Sequence, residues 1–272
     1  MTKFIKGVIF VLLFVVGVET ASAQRYHNGE VLYYRAAYRA MLIPNTEAGE
    51  VTISTRLDTL NGKEVYRVVC HGRTLPFFRW FFDMDDTYNI WVDKKSLRTQ
   101  RFESDIKEDK YALQSRYTYD WKAMKVHTWS QRKDKAPSRK TMSLTPNSMD
   151  AVSLYFNLRS VDLSSFRQGE KRNLDMILED TIRQLTYRFI GRETLSVPKL
   201  GDFDTMKFAC TIGSSDEFSF TDGSEFFIWI TNDENKIPVM LSSPVRVGEI
   251  RAYLSRYEGL HYPLSSKIKS KK

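Results

Sequence analysis

Few residues in this sequence stand at spacings that chemistry requires. The four histidines, His27, His71, His127 and His261, are scattered along the chain, and none belongs to an H-E-x-x-H pair or a paired-cysteine zinc pattern. They read as surface or strand histidines, so no metal ligand and no cofactor is assigned. Gly213-Ser214-Ser215-Asp216 is not the G-x-S-x-G turn of a hydrolase, and no glycine-rich loop cradles a phosphate. Acidic side chains cluster at Asp83, Asp85 and Asp86. Paired carboxylates of this kind serve glycoside hydrolysis or hold Ca²⁺. The spacing matches neither a calcium loop nor a fixed catalytic pattern, and three acids entering a strand read as solvated. The expectation is a non-enzymatic protein with no catalytic residue, and a carboxylate-dependent hydrolase using Asp83 and Asp86 is the enzymatic alternative.

Two cysteines, Cys70 and Cys210, sit in strand-like runs at 65–73 and 205–212. An oxidising compartment would permit a bridge, and closing so long a loop stabilises by about 4–5 kcal/mol in the chain-entropy model. Lone cysteine is also a common small core residue, so both readings stand. The segment Pro76-Phe77-Phe78-Arg79-Trp80-Phe81-Phe82 has five aromatic residues among its seven. One reading makes it the plug of a barrel end. The other makes Phe77, Phe78, Trp80, Phe81 and Phe82 an apolar lip that binds a hydrophobic ligand or partner.

The elements that must position these residues are mostly strands. Val51, Ile53, Thr55 and Leu57 alternate with Thr52, Ser54, Arg56 and Asp58, as a strand with one wet face requires. Asn61-Gly62 follows, a dipeptide that turns hairpins because both turn residues need positive φ. Further strands are expected at 30–40, 87–92, 99–106, 111–121, 125–131, 174–179, 186–192, 226–231, 238–242 and 247–256. This spacing leaves no room for repeated crossover helices. The expected fold is mainly β: a large curved antiparallel sheet or partly open β-barrel, closed or curled so that edges are not left bare. One buried central helix is expected at about 148–160, capped by Asn147 and apolar over more than one stripe, with a short helical or irregular aromatic segment at about 76–82. Pro238 belongs at the start of an edge strand or at a bulge, and Gly248 marks a kink.

Lys3 and Lys6, an apolar run from Val8 to Val18 and Ala21-Ser22-Ala23 together form the pattern of a cleaved signal peptide over residues 1–23. The mature protein is expected to start at Gln24, exported to the periplasm, associated with the outer membrane or secreted, with no transmembrane span after cleavage. No cysteine stands at the cut site to take a lipid. A single domain over 24–264, in two joined halves at about 24–145 and 146–264, is followed by a basic tail at 265–272 expected to be solvated. The net charge is +8, and Lys267, Lys269, Lys271 and Lys272 concentrate it in that tail rather than on one face. No nucleic acid is expected as a partner, since the chain is read as exported and has no recognisable binding motif. Aromatic residues at 13% and charged residues at 27% describe an ordinary folded chain.

Several separated motifs carry a family resemblance. Gly29-Glu30-Val31-Leu32-Tyr33-Tyr34, Ala48-Gly49-Glu50, Tyr88 through Val92-Asp93 and Leu97-Arg98 are followed by Asp150 through Leu158-Arg159. Trp229, Asp233, Ile237-Pro238-Val239 and Gly248 to Leu254 complete the set. In this order they resemble the envelope family catalogued as domain of unknown function 3108 (DUF3108). The resemblance implies an exported, β-rich protein and supplies no catalytic residue. The architecture is also reminiscent of periplasmic carriers of lipoprotein acyl chains. Asp58-Thr59-Leu60, Asp180-Thr181-Ile182 and Asp204-Thr205-Met206 resemble a short Asp-Thr-apolar O-glycosylation sequon of some bacterial envelopes. The functional expectation is an exported envelope protein that binds a lipid-like hydrophobic ligand or an envelope protein. The alternative is an assembly factor that acts by protein contact along a sheet edge.

Overall fold

The computed structural model describes residues 26–40, 43–160, 162, 165–178, 181–212, 225–244 and 248–269. The expected signal peptide, the Gly213–Asp216 segment and the final residues 270–272 lie outside these. The chain enters in the middle of one sheet. From there β1 (Glu30–Ala40), β2 (Ile43–Leu60), β3 (Lys63–Thr74) and β4 (Asp85–Asp93) run outward as an antiparallel meander. The same meander continues through β5 (Thr99–Glu108), β6 (Tyr111–Asp120), β7 (Lys125–Arg132) and β8 (Ser138–Ser143). The short strand β9 (Ser148–Asp150) opens the opposite edge, and the helix α1 (Ser153–Ser160) follows. Then β10 (Lys171–Leu178), β11 (Thr181–Val197), β12 (Gly201–Ile212), β13 (Phe226–Thr231), β14 (Pro238–Pro244) and β15 (Glu249–Glu258) wind back inward. The sheet closes its order where β15 pairs with β1, so the last strand joins the two halves.

This order forces curvature. β8 and β9 stand at opposite ends of a 15-stranded order, yet only residues 144–147 connect them. Such a connection reaches about 18 Å at full extension, whereas fifteen strands laid flat would separate their edges by about 65 Å. The sheet therefore curls until its edges approach, and across the seam the Tyr119 hydroxyl on β6 donates to Asp150 at the end of β9 (3.1 Å). The result is the expected partly open, barrel-like sheet, with one α-helix among the described residues.

Local chemistry explains most of the elements. Asn61 (φ 52°) and Gly62 (φ 76°) make the β2–β3 turn in the left-handed backbone that the dipeptide favours. Pro238 starts β14 where its pairing with β13 shifts register, so the proline that cannot donate sits at a bulge. Gly248 (φ 89°) lies in the turn before β15 rather than within a strand.

Four expectations need correction. One pairing, β9 with β10, is parallel, because the chain crosses the seam into β9 and reaches β10 by way of α1. The helix is shorter than 148–160, and Asp150 rather than Asn147 caps it. Asp150 Oδ1 accepts the Val152 and Ser153 amides (3.1 and 2.8 Å), while Ser153 Oγ accepts the Asp150 amide (2.8 Å), which is a reciprocal capping box. Residues 265–269 are not a loose tail: Ile268 donates to Asp202, Asp204 donates to Ser266, and Lys267 bridges Phe203. Cys70 and Cys210 are free thiols. Cys70 packs in one core cluster and Cys210 in the other, so the core reading holds and the bridge does not form.

Those two clusters are the core. The first gathers Leu32, Val68, Ile90, Phe102 and Tyr117 from the outward meander with Ile237 and Leu254 from the returning one. The second gathers Met176, Leu185, Phe208 and Ile230 among the returning strands. α1 serves both, with Tyr155 and Phe156 in the first, beside Val152 just before the helix, and Leu154 and Leu158 against the second. Its wide apolar surface is thus used on more than one side.

Candidate functional site

The aromatic segment forms a braced loop between β3 and β4. Pro76 begins a single turn of 3₁₀-helix at Pro76–Phe78, where its fixed φ suits a first helical position. Inside the loop the Phe78 amide donates to Leu75 (2.9 Å), Arg79 to Pro76 (3.4 Å), and Phe81 and Phe82 to Phe78 (2.9 and 3.2 Å). Its base is tied to both neighbours. Leu75 donates to Ala48 on β2 (2.8 Å), Thr74 to Met84 (2.9 Å), and Asp83 and Asp109 exchange two further bonds (2.9 and 2.7 Å).

This frame holds the rings outward. Phe77, Trp80 and Phe81 are 76%, 80% and 72% exposed, and Phe82 is 40% exposed. Phe78 is half-buried and packs edge-on against Phe77 (5.1 Å), as Trp80 does against Phe81 (6.0 Å). The plug reading is therefore overturned. The rings stand in solvent on a loop whose base is hydrogen-bonded to β2 and to the β5–β6 turn.

The acids below the loop divide by strand alternation. Asp83 and Asp85 are exposed and Asp86 is buried. His71 bonds Asp85 (2.9 Å) and holds its carboxyl below the usual carboxylate range. Asp86 accepts the Lys107 amide (3.0 Å) and bonds the Glu108 side chain, and desolvation pushes its pKa up to about 7. The carboxylate pair present is thus Asp86 with Glu108, while Asp83 is held by the backbone exchange with Asp109 on the solvent side. Burial also pushes both cysteine thiols up to about 12, so neither is a ready nucleophile.

A second constellation, at the opposite end, was not legible as a site. Arg159 on α1 is 0% exposed and Glu30 on β1 only 1% exposed. The guanidinium donates to both Glu30 carboxylate oxygens (2.6 and 3.0 Å), to the Tyr155 hydroxyl and to the Asn235 carbonyl (2.9 Å). The Tyr155 hydroxyl donates to Glu30 in turn (2.8 Å), and the Tyr26 and Tyr155 rings lie 4.8 and 5.0 Å from the guanidinium carbon. Burial opposes the charge on Arg159, but Tyr155 and Glu30 outweigh it and raise its pKa above the ordinary value. The Asn235 side chain reaches onward to the Tyr262 and Pro263 carbonyls (2.8 and 3.2 Å). Nε and both terminal nitrogens of Arg159 donate to protein acceptors, so this cluster is a structural clamp. Its signal in the sequence was a charged residue at each end of otherwise apolar motifs, Gly29-Glu30 and Leu158-Arg159.

The remaining candidates are dispersed. His27 and His261 face each other at 5.9 Å, and His127 bonds Thr141 (2.9 Å). Among the described residues no three metal-ligating side chains gather. Thr205 is buried and its hydroxyl donates to the Glu193 carbonyl (2.8 Å), whereas Thr59 is exposed; Asp180 lies outside the described residues. A cleft of about 220 Å³ beside α1 is lined by Arg98, Trp121, Met149 and Phe156 among others. Another of about 140 Å³ lies over Asn89, Glu103, Gln114 and Arg116. Both are smaller than the pockets that enclose drug-sized ligands. Among the described residues no helix is long and apolar enough to cross a membrane.

Comparison with known proteins adds a family and a fold. A family model described as "Protein of unknown function (DUF3108)" matches residues 33–255. A search of curated proteins finds no match. Among solved structures, a beta-barrel-like protein of domain of unknown function DUF1849 from Brucella abortus is similar, with a TM-score of 0.54 and 13% identity. The alignment covers 86% of this chain and 99% of that one. At this identity the likeness is one of fold.

Proposed function

The chain belongs to the DUF3108 family, described only as of unknown function, and we propose that it is an exported, non-enzymatic envelope protein that binds a hydrophobic ligand or partner through the β3–β4 aromatic loop. The observation that carries this reading is the outward presentation of Phe77, Trp80 and Phe81 on a loop whose base is hydrogen-bonded on both sides. Solvent-exposed aromatic clusters oppose folding stability and favour contact with something apolar, so a chain that braces one outward has a use for it. Export rests on the leader pattern at 1–23.

The competing readings have less support. The exposed edge strand β8 carries Arg139 and Lys140, charges that discourage strand addition, and β9 is only three residues long. A hydrolase using Asp83 and Asp86 would need the two carboxylates side by side, whereas Asp83 is exposed and Asp86 is buried. The test compares the chain from Gln24 with its Trp80→Ala/Phe81→Ala variant, each isolated from its own envelope and weighed by native mass spectrometry. The variant is expected to keep its melting temperature and to lose the bound mass or copurifying partner. Equal capture by both proteins rejects the aromatic loop as the site.

A further inference from the structure

We propose that the aromatic end of the sheet docks on the surface of a lipid bilayer, inserting the β3–β4 loop into the interfacial zone of zwitterionic lipid. This rests on the binding role assigned to that loop and names its partner. Exposed large apolar side chains among the described residues are polarised along the strands. Phe77, Trp80, Phe81, Phe82, Tyr111 and Ile250 lie at one end, and Leu57 and Ile268 at the other. The ladder fixes this placement: Thr74 at the end of β3 pairs with Gly49 near the start of β2, and Ile250 pairs with Tyr38 near the end of β1. Tyr111 follows the β5–β6 turn that holds the loop base. An apolar end set across the strand direction suits a planar partner.

Three further properties favour lipid over a shaped protein pocket. The loop is a projection: Phe77, Trp80 and Phe81 stand largely in solvent, so their rings are offered to a surface. Much of its amide set is already bonded: the amides of Phe78, Arg79, Phe81 and Phe82 all donate within the loop. Hydrocarbon cannot replace hydrogen bonds with water, and a segment that enters it must bring its own. The residue types are those of the membrane interface, a tryptophan among phenylalanines. Charges beside the loop are paired locally, Arg79 with Asp83 (3.5 Å) and Lys107 with Asp105 (2.9 Å), and the His71 ring bonds Asp85 (2.9 Å). Attachment is therefore driven by apolar burial and does not need anionic lipid.

Flotation of the chain from Gln24 with phosphatidylcholine vesicles tests this at about 0.15 M and 1 M salt. Co-flotation is expected at both, with a blue shift of tryptophan emission that Trp80→Phe removes while binding persists. Trp80→Ala/Phe81→Ala is expected to weaken partition at least tenfold with an unchanged melting curve. No flotation of the parent chain overturns the proposal, as does flotation that survives the double substitution or that occurs only with anionic vesicles at low salt. If vesicles fail while the double variant still loses a native partner, the loop remains a contact site and only the lipid assignment falls.

Discussion

At the scale of residues, Asp86 carries the clearest conditional behaviour. Its pKa is raised to about 7 in the folded chain by desolvation, with Glu108 beside it also raising it and the Lys107 amide working the other way. An unfolded aspartate titrates near 3.9. The folded state therefore binds the proton more tightly, and the stability linked to Asp86 is complete below about pH 4 and is lost as pH rises through about 7. Asp86→Asn keeps a neutral hydrogen-bonding side chain and removes the titration. The variant is expected to flatten the fall in stability between about pH 4 and 7 and to be the more stable protein at pH 8. Urea unfolding across that range measures it, and an unchanged slope refutes the assignment. Asp86 was visible in the sequence only as one of three adjacent acids. Alternation places it inward, but its partnership with Glu108 depends on the β4–β5 hairpin and could not be read from the local run.

At the scale of elements, the buried ion pair decides how α1 is held. Arg159 joins the helix to β1 through Glu30 and to the β13–β14 turn through Asn235, and Asn235 extends the connection to residues 262 and 263. Removing one member leaves the other charged and buried. Arg159→Ala is expected to destabilise by about 3–5 kcal/mol, and Glu30→Ala by a similar amount. The Glu30→Gln/Arg159→Met pair should cost far less than the sum of Glu30→Gln and Arg159→Met made singly. A double-mutant cycle in urea checks this, and additivity would exclude the clamp. The motifs that announced the family, Gly29-Glu30, Leu158-Arg159 and the 229–239 hairpin, converge here. Their meeting follows from tertiary packing, because sequence separation of more than a hundred residues conceals it. The helix boundary was also concealed: Ser148, Met149 and Asp150 are all buried, and so short a run with one apolar residue carries no period that separates a strand from a first helical turn.

At the scale of the whole molecule, β15 is the joint. It pairs with β1 on one side and β14 on the other, so the two halves of the meander become one sheet only when the end of the chain returns to its beginning. A chain ending before Glu249 would expose the edges of β1 and β14 together and strip Tyr253 and Leu254 from the first core cluster. Such a truncation is expected to lose the cooperative thermal transition of the full chain, as read by circular dichroism. A truncated protein that melts with the same cooperativity would show that the halves are independent.

The sequence by itself determined the β class, many of the strands, the Asn61-Gly62 turn and the family, because alternation and turn chemistry are local properties of the chain. It also located the aromatic segment, but left its orientation open between plug and lip. The tertiary structure decided that orientation through hydrogen bonds from the loop base to Ala48 and Asp109. It likewise decided the parallel entry of β9, the docking of residues 265–269, the separation of the two cysteines and the burial of Arg159. Each depends on which distant strands become neighbours. That choice is made when a long sheet whose two edge strands are joined by four residues has to curl around its own core.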